Sequence, residues 1–121
     1  MPETVEVLED LEIIQITSSG TVTQEDLLKS RQTVSKICQE RGFTKILVDT
    51  TAVTSLPSTL HLYQHGSSLS NPEFPKAFKF AIVVSEAISK DAYFIETVAK
   101  NHHANLRNFE SRDQALSWLK E

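Results

Sequence analysis

The stretch Lys45 to Leu60, KILVDTTAVTSLPSTL, decides how the rest of the chain is read. Ile46, Leu47 and Val48 are apolar at consecutive positions, so neither face of this segment is turned to water, as in a strand of a covered parallel sheet. Asp49 follows at the predicted carboxyl end of the strand, where open α/β sheets place their ligands. Thr50 to Ser55 reads as a loop whose hydroxyls, on Thr50, Thr51, Thr54 and Ser55, could donate to a small anion. Pro57 favours an extended entry, and Ser58 opens a helix predicted to run to about Leu69.

A parallel strand needs a crossover on each side, and the flanking sequence supplies them. Downstream, Phe80 to Val84 is a second apolar run, a helix is predicted near Lys90 to His102, and Leu106 to Phe109 forms a further strand. Ser111 with Gln114 three residues on caps a last helix carrying Ala115, Leu116, Trp118 and Leu119 on one side. Upstream, Thr23 with Asp26 opens a helix whose apolar positions Leu27, Leu28, Val34, Ile37 and Cys38 share a face, and Gly42 is placed to end it. Before it, residues 5 to 8 and 11 to 18 alternate as two strands around Glu9 and Asp10, a hairpin in its simplest form.

The assembled order is β-β-α-β-α-β-α-β-α, an α/β fold with a mixed five-stranded sheet. Laid out in simple sequence order, such a sheet stacks its helices mostly on one face and leaves the other partly bare and apolar. A homodimer would hide that face. At 121 residues, with 40% hydrophobic and 23% charged residues, the chain is expected to form a single domain spanning residues 1–121.

Twelve Lys and Arg against 16 Asp and Glu give a net charge of -4, the wrong sign for gripping nucleic acid phosphates. The longest apolar run, Phe80 to Val84, is far short of the ~20 residues of a membrane span. The start, Met1-Pro2-Glu3-Thr4, is acidic and lacks the basic flank of a secretion signal, so a cytoplasmic location is expected. A single cysteine, Cys38, sits on the apolar stripe of its helix and is read as core.

The strand, the aspartate, the loop and the serine-started helix of Lys45 to Leu60 resemble the STAS domain, carried by the sporulation anti-sigma-factor antagonists. The order of Gly20-Thr21-Val22-Thr23, Leu47-Val48-Asp49, the Phe80 strand, Phe109 and Ala115-Leu116-Ser117-Trp118-Leu119 is similar to that of small free-standing prokaryotic STAS-like proteins, related in fold to CRAL-TRIO lipid-transfer domains. The resemblance implies a regulatory module that contacts a protein partner, in a family largely without assigned function. It also implies that Ser58, at the position phosphorylated in the antagonists, is a phosphorylation site. Its neighbours here, Pro57 and Thr59-Leu60, differ from the Asp and Ser-Gly of the antagonists. A phosphate on the first helical turn would gain from the helix dipole, while an unmodified serine there is an ordinary N-cap.

The binding residues expected from this reading are Asp49, Thr50, Thr51, Ser55, Ser58 and Thr59. Each also has a plain structural use, since Asp and Thr end strands and bond neighbouring amides. No catalytic set is expected, because Leu56-Pro57-Ser58-Thr59-Leu60 lacks the small residues of a nucleophile turn. His61 and His65 share a helix face, but no third metal ligand has matching spacing. His102 and His103 diverge on a helix end. No metal, cofactor or enzymatic activity is therefore expected. The alternative function is binding of a small apolar ligand or lipid, drawn from Phe74, Phe78 and Phe80 beside a helix that is apolar on two sides through Leu60, Leu62, Tyr63 and Leu69.

Overall fold

A computed structural model describes residues 3–55, 78–101 and 105–121. The predicted helix near Ser58 to Leu69, and His61, His65, Phe74, His102 and His103, lie outside the described residues.

Five strands form one sheet in sequence order: β1 (Glu3–Leu8), β2 (Ile13–Thr21), β3 (Lys45–Ser55), β4 (Lys79–Val83) and β5 (Asn105–Phe109). β1 pairs antiparallel to β2, with Val5 opposite Ile16 and Val7 opposite Ile14, so the alternating residues of both strands face one core. The other three pairings are parallel, so the sheet is mixed as expected. The β1–β2 connection is a 3-10 turn, Glu9–Leu11, closed by Glu12 in the left-handed region at φ 56. The chain therefore needs more than a two-residue hairpin there.

Three described helices follow strands: α1 (Gln24–Arg41), α2 (Ser89–Asn101) and α3 (Arg112–Lys120). Thr23 and Asp26 form a reciprocal capping box at α1, and Gly42 stops it at φ 72, a conformation that costs glycine little. The Ser111 hydroxyl accepts from Gln114 N at 3.1 Å and so caps α3. A 3-10 turn, Glu86–Ile88, leads into α2.

The pleat of the sheet sorts its side chains to two faces. On one face Ile14, Ile16, Ile46, Phe80 and Leu106 pack with Val34 and Cys38 of α1 and Ala99 of α2. On the other, Ile13, Leu47, Ala81 and Val83 pack beneath Ala115 and Leu119 of α3. Consecutive residues Ile46 and Leu47 thus enter different cores, which explains the unbroken apolar run of β3.

The expectation of a partly bare, apolar second face needs correction. α3 packs on its apolar residues Ile13, Leu47, Ala81 and Val83, and the neighbouring positions of β2 and β3 on that face, Gln15, Thr17, Lys45 and Asp49, are polar. Arg112, the first residue of α3, donates to Gln15 Oε1 at 3.0 Å, and Gln15 Nε2 donates to Thr17 at 3.1 Å. The reason for self-association through that face therefore does not hold. Among the described residues, no helix is long and apolar enough to cross a membrane.

Candidate functional site

β3 is longer than the sequence suggested, and this changes the setting of the candidate residues. Its pairing with β4 ends where Asp49 faces Val83. Its pairing with β2 continues, with Ser19 opposite Ala52, Gly20 opposite Val53 and Thr21 opposite Ser55, interrupted by register shifts between Thr17 and Ser19 and between Gly20 and Thr21. Asp49 is therefore not the carboxyl end of β3, and Thr50 to Ser55 is strand rather than loop. The β-branched Thr50, Thr51, Val53 and Thr54 suit a pleated ribbon, and the irregularities re-aim side chains as bulges do. The outcome is a two-stranded lip that projects beyond β4 at the carboxyl edge of the parallel strands.

The lip is anchored by its apolar members. Val53 is buried against Val22 and Ile88, with Leu27 packed on them. The Val22 N–H donates to the Ser55 carbonyl at 2.9 Å, tying the lip to the segment that enters α1. Thr51, Ala52, Thr54 and Ser55 remain exposed, as do Ser19 and Thr21 across the ribbon. Ser19 and Thr21 were not among the expected site residues. Their sequence signal is the Ser18-Ser19-Gly20-Thr21 run, and Gly20 adopts φ 63 here.

The hydroxyls and carboxylate of the lip divide by use. Thr50 is buried, and its hydroxyl donates to the carbonyl of Val83, the last residue of β4, at 2.6 Å. Asp49 Oδ1 accepts from both Thr51 N at 3.0 Å and Thr51 Oγ1 at 2.7 Å, a local clamp that shapes the bulge. Ser55 is exposed and its carbonyl is engaged. The structure thus brings Asp49, Thr50, Thr51 and Ser55 together on one ribbon, with Thr50 turned inward. Ser58 and Thr59 lie outside the described residues.

Beneath α1 and α2, the sheet borders an apolar cavity of about 100 Å³, with Ile16, Val48, Ile82, Ile95 and Leu106 in its wall. At its rim Glu3 accepts from the hydroxyls of Ser18 and, at 2.6 Å, Ser30. Among the described residues, no group of three His, Cys, Asp or Glu side chains is placed to hold a metal ion. Cys38 is buried, and desolvation pushes its thiol up to about 11, the behaviour of a packing residue rather than a nucleophile.

The SpoIIAA-like family model matches residues 13–120, which takes in every element from β2 to α3. The chain belongs to the SpoIIAA-like family. Three solved structures extend the comparison of this SpoIIAA-like chain. An uncharacterised DUF3478-family protein with a SpoIIAA-like fold from Shewanella loihica PV-4 is 21% identical, with TM-score 0.62, over 97% of this chain and 91% of that one. An anti-sigma factor antagonist from Mycobacterium paratuberculosis is 14% identical, with TM-score 0.70, over 98% and 93%. The anti-sigma factor antagonist SpoIIAA in its unphosphorylated form is 8% identical, with TM-score 0.65, over 98% and 97%. At these identities the likeness is one of fold, and it spans nearly the full length of each partner in the comparison. No functionally curated protein matches the sequence at a significant level.

Proposed function

We propose that this SpoIIAA-like chain is a non-enzymatic regulatory module that docks a protein partner on the lip formed by β2 and β3 and on the Ser58 segment that follows it. The observation that carries the reading is the lip itself. It is held rigid from below by Val53, yet presents Thr51, Ala52, Thr54 and Ser55 to solvent at the sheet edge where α/β folds place their ligands. Small and hydroxyl-bearing side chains lose little entropy on contact and offer donors and acceptors to a facing backbone. The comparison with anti-sigma factor antagonists supports a protein partner, and Ser58 is the residue on which a phosphate would switch that contact off.

Affinity capture tests this with wild type, a Thr54→Lys variant and a Ser58→Asp variant. A stoichiometric protein held by wild type and lost by Thr54→Lys supports the lip. Loss with Ser58→Asp supports the switch as well. Identical partners for all three would remove the reading.

A second reading, binding of a small apolar molecule, draws on the cavity between the sheet and its two helices. Its volume of about 100 Å³ suits a molecule no larger than a single aromatic ring and falls short of the several hundred Å³ that a lipid-sized ligand needs. Native mass spectrometry of protein purified from its own host separates the two readings, since a retained small-molecule mass favours the cavity.

A further inference from the structure

Among the described strands, the sheet ends at β1 and at β5. An edge strand left unguarded is a template for pairing with another chain. At β5 the ladder fixes which backbone groups look outward. The Phe109 carbonyl accepts from Val84 N at 2.9 Å, so Phe109 and, two residues before it, Arg107 turn their backbone groups toward β4. Leu106 and Asn108, the alternate residues, turn theirs away from the sheet.

The outward Asn108 N–H donates to a side chain and not to another strand. Its acceptor is Glu96 Oε1 of α2, at 2.7 Å. The Glu96 side chain is only 13% exposed, and its other oxygen lies 3.5 Å from Lys100 Nζ one helical turn on. Asn108 Nδ2 meanwhile donates to the Ala92 carbonyl at 2.9 Å, so two bonds clamp α2 to the edge strand. A carboxylate this enclosed, aimed at a backbone donor on the rim of a sheet, acts where an incoming strand would have to bond.

We propose that Glu96 guards the β5 edge, occupying the Asn108 N–H so that a second copy of this chain cannot add its own β5 to the sheet. The pairing it blocks can be specified. Two β5 strands meeting antiparallel about Arg107 would set Leu106 of each copy opposite Asn108 of the other and exchange four backbone bonds. Two of those bonds need the Asn108 N–H. Arg107 would face its own counterpart across the axis, and like charges directly opposite weaken a pair, which makes Arg107 a second deterrent. The β1 edge is protected differently: Glu3 is turned inward onto Ser18 and Ser30, and Glu6 is exposed along the strand. The inference is independent of the proposed partner site, and its failure would leave that reading intact.

The test combines amide exchange with sedimentation. In wild type and in Glu96→Gln, whose amide oxygen still accepts, the Asn108 amide should exchange at least tenfold more slowly than an unstructured amide. In Glu96→Ala this protection should be lost, and the protein should associate with rising concentration beyond the wild-type state. Adding Arg107→Thr to Glu96→Ala should strengthen that association. An unprotected Asn108 amide in wild type overturns the proposal, and that measurement stands even if the alanine variant fails to fold. Sedimentation of Glu96→Ala and of the double variant identical to wild type also overturns it.

Discussion

Thr50 and Thr51 carry the same hydroxyl and put it to different uses. Thr50 is buried and donates to the last carbonyl of β4, whereas Thr51 is exposed and bonds Asp49. Losing one buried hydrogen bond costs more than losing an exposed one, so Thr50→Val should destabilise the protein by about 0.5–1.5 kcal/mol, while Thr51→Val should stay within about 0.5 kcal/mol of wild type. Urea denaturation of the two variants side by side measures the difference. Cys38 gives a pH prediction at the same scale. Its thiol is raised by burial from 9.0 to about 11, so the folded protein keeps the proton after the unfolded chain has released it. Stability from this group is fully present below pH 9 and is lost as pH rises toward 11, by about 2–3 kcal/mol in all. Denaturant midpoints should fall across that window in wild type and fall less in Cys38→Ala. At the acid end the sign reverses. Glu9 is held below the usual carboxylate range by its hydrogen bonds from Arg41, and Asp26 by the Thr23 backbone N–H and hydroxyl. Both contribute above their ordinary values and lose that contribution as the pH falls through their lowered ones.

Helices α1 and α3 show how much of an element rests on its ends and how much on its buried face. The box at the start of α1 satisfies two backbone donors at once, and Thr23→Ala should cost about 1 kcal/mol without changing the fold. α3 has nine residues and would be marginal alone. Tertiary contacts hold it: Leu119 is fully buried, and Lys79 Nζ donates to the Trp118 carbonyl at 3.2 Å while lying 5.1 Å from the centre of the Trp118 ring. Leu119→Ala should therefore cost about 2–5 kcal/mol, more than the loss of the α1 cap, and thermal melts of both variants would rank them. The reverse order would mean that α3 contributes little to the core.

Among the described residues the sheet carries an apolar core on each face, because helices lie on both sides of it. α1 and α2 close one, and among the described elements α3 alone closes the other. Deleting residues 112–121 would uncover Ile13, Leu47, Ala81 and Val83, each at most 3% exposed in the intact chain. Such a contiguous apolar patch is an association site. The truncated protein should bind a hydrophobic dye and aggregate, and a truncated form that stays dispersed and dye-free would contradict the two-core description. The lip stands apart from α3 in this scheme. It is anchored through Val22, Val53 and Ile88 of the α1-side segments, so a variant such as Thr54→Lys should alter partner contact with little effect on stability.

The sequence by itself determined what depends on near neighbours. The Thr23 and Asp26 box, the Ser111 cap, the Gly42 stop and the double-faced burial of Ile46 to Val48 are read at spacings of one to four residues, where backbone geometry leaves few choices. Only the tertiary structure decided the sequential strand order, the placement of α3 on the face opposite α1 and α2, and the extension of β3 to Ser55. Threonines after Asp49 read equally as loop or strand, because β preference is set by the partner strand, and that partner, Ser19 to Thr21, lies about thirty residues earlier in the chain. Separation along the chain also hid the bond from Thr50 to Val83, 33 residues apart, and the hold of Glu96 on Asn108, 12 apart and on a different element. Which hydroxyl is buried and which carboxylate meets an edge N–H follows from register and packing, and these exist only once the chain has closed on itself.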